Sequence, residues 1–134
     1  MLGVFPTAAT LEDAGFTVPL IMGFGGAEPG DERIETFRKD IASGNVAGVL
    51  LLDRNVRSKA QVARLCAHLK SAARDPTLMV AIDQEGGAVA RASPSAGFQH
   101  WMSAADLARH ITDESAVYEY YLPRARELAD VGIN

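Results

Sequence analysis

The chain has 134 residues, 48% of them hydrophobic and 22% charged, a composition that belongs to one folded domain and excludes a disordered or fibrous chain. Its 13 basic side chains are scattered and its formal net charge is −4, so no basic face is set up for a phosphate backbone and nucleic acid is not an expected partner. A single cysteine, Cys66, rules out a disulfide within the chain.

The segment from Met1 to Thr10 shows neither a basic n-region nor a long apolar run, so no secretory leader and no membrane association are expected, and a reducing cytoplasm is the default setting. Residues 1–17 read as a lead-in. Val18, Leu20, Ile21, Met22 and Phe24 then form a short apolar run closed by the glycine-rich stretch Gly23 to Gly30, which reads as a buried strand entering a loop. Asp31 to Ser43 spaces Ile34, Phe37, Arg38 and Ile41 at helical intervals, and Gly44 is a natural terminator.

The same cycle follows again. Ala47 to Leu52 is continuously apolar, Asp53, Arg54 and Asn55 end it, and Ser58 is placed to cap a helix running through Ala73. Cys66 falls with Val62, Leu65 and Leu69 in that helical pattern and reads as a small buried residue, not a reactive thiol. Thr77 to Ile82 is the third strand. Strands that are apolar on both faces and alternate with helices imply a parallel sheet covered by helices, so the fold class is α/β.

Asp83 to Gly97 breaks the rhythm with a polar loop far longer than a usual strand-to-helix connection, and long loops at strand C-termini carry function. Helical patterns resume over Ala104 to His110 and from Thr112 to Asp130. There Asp113 and Glu114 suit a helix start, and Pro123 is expected to kink or break the helix. Val131 to Asn134 reads as a helix terminator followed by the first residues of another strand. Three strands cannot close a barrel, which takes eight strands and about 250 residues, so residues 18–134 are read as the first three βα units of an incomplete (β/α)8 barrel.

The most informative stretch is Leu78 to Arg91, in which an apolar strand delivers Asp83, Glu85 and the pair Gly86-Gly87 at its C-terminal end. That end faces the ligand in parallel α/β folds. Carboxylates there accept hydrogen bonds from sugar hydroxyls, and glycines allow close approach or positive φ. Arg91 is placed to donate to the same ligand or to pair with Glu85. Asp53 and Arg54 also end a strand and are further candidates, as ligands or as an ion pair that locks a loop.

The stretch Ile82-Asp83-Gln84-Glu85-Gly86-Gly87-Ala88-Val89 resembles the Ile-Asp-Gln-Glu-Gly-Gly-Arg-Val signature of glycoside hydrolase family 3, in particular its bacterial β-N-acetylglucosaminidases. Gly48 to Val56 is similar to that family's Gly-Val-Ile-Leu-Phe-x-Arg-Asn segment, and Met22 to Gly26 to its first strand and turn. Glu127-Leu128 and Gly132-Ile133-Asn134 are similar to the approach to its fourth strand. Ala88 departs from the signature, which has Arg there. Thr10 to Asp13 resembles the start of the family's first helix but is interrupted by Gly15, Thr17 and Pro19.

The resemblance implies a sugar hydrolase acting on glycans that contain N-acetylglucosamine, of the cell-wall recycling type, with Asp83 and Arg91 binding the sugar in the −1 subsite, Glu85 beside them, and Gly86, Gly87, Asp53 and Arg54 as further candidates. It also implies that the nucleophile, an Asp on a later strand, and the acid/base, a His on a later loop, belong beyond Asn134. A retaining glycosidase needs its two groups about 5 Å apart, and Asp83 and Glu85 on one extended strand point to opposite faces, so the chain alone is expected to be inactive.

Other polar groups are read as bystanders. His68, His100 and His110 have no partners at metal-ligand spacing and read as solvated, so no metal or cofactor is expected. Tyr118, Tyr120 and Tyr121 read as helix packing, while Phe98 and Trp101, in or beside the long loop, are candidates for stacking on a sugar ring. A nucleotide-binding reading of Gly23-Phe24-Gly25-Gly26 fails at Glu28, which stands in the third glycine position of the phosphate fingerprint and would repel a pyrophosphate. The alternative that stays open is a non-catalytic carbohydrate-binding or interaction domain on a partial barrel. In either case open edges are expected to drive self-association.

Overall fold

Three short runs of apolar residues and glycine lie side by side as a parallel sheet in the computed structural model, which describes residues 20–74 and 78–134. They are β1 (Ile21–Gly23), β2 (Gly48–Leu51) and β3 (Met79–Ile82), in the order β1-β2-β3. The expected helix start at Thr10 and the strand residues Val18 and Thr77 lie outside the described residues. Ile21, Gly48 and Met79 stand opposite one another in register.

Each of the first two strands is followed by a helix whose ends are written in the sequence. Helix α1 (Glu32–Ser43) opens on Asp31, whose carboxylate accepts the Arg33 N–H, and closes on Gly44 at φ +85°. Helix α2 (Lys59–Lys70) opens on Ser58, whose hydroxyl accepts the Gln61 N–H, and ends three residues earlier than its apolar pattern suggests. Ile34 and Ile41 from α1 and Val62, Leu65 and Leu69 from α2 share one core with Val49, Leu51 and Val80 of the sheet. Cys66 is buried in that core, and burial pushes its thiol up to about 11, which leaves it protonated and unreactive.

The other face of the sheet is open among the described residues. Ile21 and Met79 are 48% and 46% exposed, so the expected burial of both faces holds on the helix side for Val49, Leu51 and Val80 only, and Met22 of β1 is 42% exposed even there. The open face is the one a closed barrel would turn inward.

The long loop is less irregular than its composition implies. It folds into a hairpin of β4 (Gln84–Gly86) and β5 (Val89–Ala90), then a 3₁₀ turn at Pro94–Ala96. The Gln84 amide accepts from the Ala92 N–H at 2.9 Å and donates to the Ala92 carbonyl at 3.1 Å, closing the hairpin with a side chain where the ladder ends.

Helices α3 (Ala104–His110) and α4 (Glu114–Asp130) follow. Of the expected kink or break at Pro123, the break does not occur, and α4 runs through the proline. The proline removes one N–H from the helix, but the Arg124 guanidinium donates to the Tyr120 carbonyl at 2.6 Å and lies 3.6 Å from the centre of the Tyr120 ring, bracing the turn across the proline. Glu119, whose carbonyl loses its donor, is exposed and can turn to water. After α4, Gly132 at φ +90° turns the chain, and the Asn134 N–H donates to the Val80 carbonyl at 3.1 Å. The expected strand opening therefore runs along the free edge of β3.

A polar clasp joins the outer sides of α1 and α2. His68 Nε2 lies 2.6 Å from Glu35 Oε1, Arg38 donates to Glu35 Oε2 at 2.9 Å and also to the His68 carbonyl at 3.1 Å. His68 is thus half-buried and paired rather than solvated, because the helix spacing brings it against the acidic side of α1. The His68 ring and the Arg38 guanidinium hold the Glu35 carboxyl down at about 2, from an ordinary 4.5. A carboxyl depressed on folding adds stability above its unfolded value and loses it as pH falls through the folded value. Glu35→Gln is therefore expected to flatten the loss of stability between about pH 4.5 and pH 2, measured by urea denaturation across that range, while changing little at high salt.

Candidate functional site

The loops at the C-terminal ends of the strands are held by two buried amides. Asn55, in the 3₁₀ turn Asp53–Asn55, is fully buried; its amide donates to the Phe24 carbonyl at 3.2 Å and the Gly26 carbonyl at 2.7 Å, and its oxygen accepts the Leu52 N–H at 2.9 Å. Gln61, in the first turn of α2, donates to the Ala27 and Asn55 carbonyls and accepts the Arg57 N–H. These two residues sew the end of β1 to the end of β2. Sequence reasoning treated neither as structural, although the Ser58-x-x-Gln61 spacing is a capping-box pattern that marks Gln61 as a residue reaching back past its own helix.

The carboxylates of the β3 end stand free of ion pairs. Asp83 is half-buried where β3 stops, Glu85 is exposed, and neither is in an ion pair among the described residues. Arg91 pairs with Asp53, not with Glu85: its NH1 donates to Asp53 Oδ2 at 2.9 Å. The reason is a register shift. Gln84 lies opposite Ala90 and Gly86 opposite Val89, so Glu85 is the bulged residue and has no partner across the hairpin.

Gly86 and Gly87 serve packing. At Gly86, φ is +84° and a Cβ would lie 2.0 Å from the Met102 carbonyl oxygen; the Gly87 N–H donates to the Trp101 carbonyl at 3.0 Å. The glycine pair lets the hairpin lie flat on residues 101–103. Arg54 donates from Nε to the Phe24 carbonyl at 2.8 Å, so it belongs to the staple between β1 and β2.

Phe98 is not available for stacking on a sugar, since it is 5% exposed within the core. Trp101 is half-buried with its ring 5.6 Å from that of Tyr121, and the Tyr120 hydroxyl accepts the Met102 N–H at 2.7 Å. The far end of the loop is anchored by Glu127, which accepts from Lys59 at 2.9 Å and from the Gln99 N–H at 2.8 Å. Burial alone would raise the Glu127 pKa, but the Gln99 N–H and the Lys59 ammonium outweigh it and hold the carboxyl below its ordinary value.

A groove of about 410 Å³ beside α1, lined by Phe24, Arg33, Phe37 and Asp40 among others, includes none of the candidate sugar ligands. Among the described residues no cluster of His, Cys, Asp or Glu is placed to hold a metal ion, and no helix is long and apolar enough to cross a membrane.

A parallel sheet with helices on one face, and with polar side chains gathered where the strands end, is the arrangement of an α/β domain of the barrel type, a class in which ligands bind at the strand C-termini. Residues 18–134 match the model of the glycosyl hydrolase family 3 N terminal domain, and the chain belongs to that family. A beta-hexosaminidase of Xylella fastidiosa (strain M12) is 40% identical over 72 residues, which are 54% of this chain and 20% of the relative. One from Nitrosomonas eutropha is 46% identical over 57 residues, 42% of this chain and 16% of the relative. The solved glycoside hydrolase family 3 beta-N-acetylglucosaminidase from Paenibacillus sp. str. FPU-7 superposes with a TM-score of 0.71 and 33% identity, over 85% of this chain and 21% of that one. The matched stretch is thus about a fifth of the length of the Xylella and Paenibacillus relatives.

Two substitutions test this architecture. Asn55→Ala takes their partner from the part-buried Leu52 N–H and Gly26 carbonyl, while the Phe24 carbonyl keeps Arg54, and is expected to cost about 2 kcal/mol in urea denaturation. Gly86→Ala is expected to cost at least about 2 kcal/mol, against about 1 kcal/mol for Gly30→Ala, because both have positive φ but only Gly86 would drive a Cβ into backbone.

Proposed function

We propose that this chain forms part of the sugar-binding wall of a retaining glycoside hydrolase that releases β-linked N-acetylglucosamine, of the cell-wall recycling type, in a reducing cytoplasm. The single observation that carries the reading is Asp83, delivered without an ion-pair partner among the described residues at the C-terminal end of the third parallel strand, inside a segment that matches the family. In this reading Asp83 accepts hydrogen bonds from sugar hydroxyls, and Arg91 donates to the same sugar from the hairpin that follows.

Double displacement requires a nucleophilic carboxylate and a proton donor about 5 Å apart across the glycosidic bond. Asp83 and Glu85 are two residues apart with a bulge at Glu85, and they make no such pair with each other. The nucleophile and the acid/base are accordingly assigned to segments downstream of Asn134, and the 134-residue chain by itself to a binding role. Its exposed Ile21 and Met79 favour self-association when no further strands cover them.

The test is hydrolysis of 4-nitrophenyl N-acetyl-β-glucosaminide by the 134-residue chain and by a form extended downstream to the length of the relatives. Turnover by the longer form alone is the expected result. Turnover by the short chain would show that its own residues include the nucleophile and would overturn the division of roles.

A further inference from the structure

Arg91 and Asp53 are 38 residues apart in sequence, one after the hairpin of β4 and β5 and one directly after β2, yet they meet at 2.9 Å. Glu85, the carboxylate that the sequence offers Arg91 as one possible partner, is carried out of register by the bulge. The pair is lopsided: the Arg91 side chain is 24% exposed and that of Asp53 is 73% exposed. The half-buried member is therefore the cation, and its compensating charge comes from the rim.

Asp53 is held from behind. It opens the 3₁₀ turn whose third residue, Asn55, is fully buried and bonded to the carbonyls of Phe24 and Gly26. Its side chain is short, so the place of the carboxylate follows the backbone of that turn more closely than a long stem would. The contact is also one-pronged. A guanidinium carries five N–H donors, and this one uses NH1 on Asp53, while its Nε is buried without a partner among the described residues.

We infer that Asp53 is a positioning residue for Arg91: it fixes the guanidinium at the strand ends with donors left over, and does not itself bind the sugar. The inference rests on the proposed reading of Arg91 as a sugar-binding residue. Because Asp53 is mostly exposed, its loss should barely move global stability, whereas it should loosen the guanidinium and weaken what the guanidinium binds.

The test titrates N-acetylglucosamine into the ¹⁵N-labelled 134-residue chain and follows backbone amides together with the Arg91 Nε–H resonance. Wild type, Asp53→Asn, Asp53→Glu, Arg91→Ala and the double variant Asp53→Asn/Arg91→Ala are compared. Asp53→Asn is expected to weaken binding about fivefold with the unfolding midpoint unchanged, Asp53→Glu to recover most of the loss, and Asp53→Asn to add nothing to Arg91→Ala. The Arg91 Nε–H should shift and exchange faster in Asp53→Asn. Wild-type affinity in Asp53→Asn, or an equal loss in the Arg91→Ala background, would overturn the positioning role. Absence of binding by every form, wild type included, would instead overturn the sugar reading; the Arg91 Nε–H then decides alone, and an unchanged resonance in Asp53→Asn would sink the inference.

Discussion

The buried amide of Asn55 is the constraint on which the ligand-facing end of this domain depends. Three short parallel strands of three or four residues supply little ladder of their own, and the loop that leaves β1 has no regular structure to satisfy its backbone groups. Asn55 accepts from Leu52 in its own turn and donates to Phe24 and Gly26 in the neighbouring loop, so a single side chain completes what the ladder leaves open. Gln61 extends the same arrangement by one step, tying the first turn of α2 to Ala27 and to the Asn55 carbonyl. With the two strand ends fixed in this way, Asp53 and Arg54 project from a determined backbone, and the hairpin after β3 has a firm edge against which to place Arg91.

Much of the fold was legible because its elements obey local rules. Asp31, Gly44 and Ser58 stand at helix ends and act there as caps, and the apolar runs near Ile21, Gly48 and Met79 are strands. What escaped sequence reasoning was tertiary. The bulge at Glu85 arises only when two strands are laid side by side, and no spacing rule in a single chain announces it. His68 looks like a solvated helix residue until α1 brings Glu35 within 2.6 Å. Phe98 sits in a polar loop and is swallowed by the core, and Pro123 reads as a breaker until Arg124 and Tyr120 brace the turn across it.

The candidate site was legible in its residue types more than in its connections. Asp83 and Arg91 stand near the end of β3 as the motif implied, but the glycine pair turned out to serve the packing of the hairpin on residues 101–103, where the gap is too small for any side chain. Glycines beside carboxylates invite a ligand-binding interpretation, yet a Cβ at Gly86 would meet a carbonyl of this same chain. The division of labour in this neighbourhood, with Asn55 and Arg54 bonded to backbone and Asp53 bonded to Arg91, comes from the hydrogen bonds.

Gly48 carries a consequence for how such a sequence can drift. It sits between Ile21 and Met79 on the open face of the sheet, and a Cβ there would lie 3.0 Å from atoms of both. The three positions, one on each strand, therefore share a single allotment of volume. A methyl gained at residue 48 has to be matched by a smaller or differently shaped side chain at residue 21 or 79, since packed layers accept exchanges that conserve volume more readily than additions. Across relatives these three columns should covary as a set, although they are far apart in the chain.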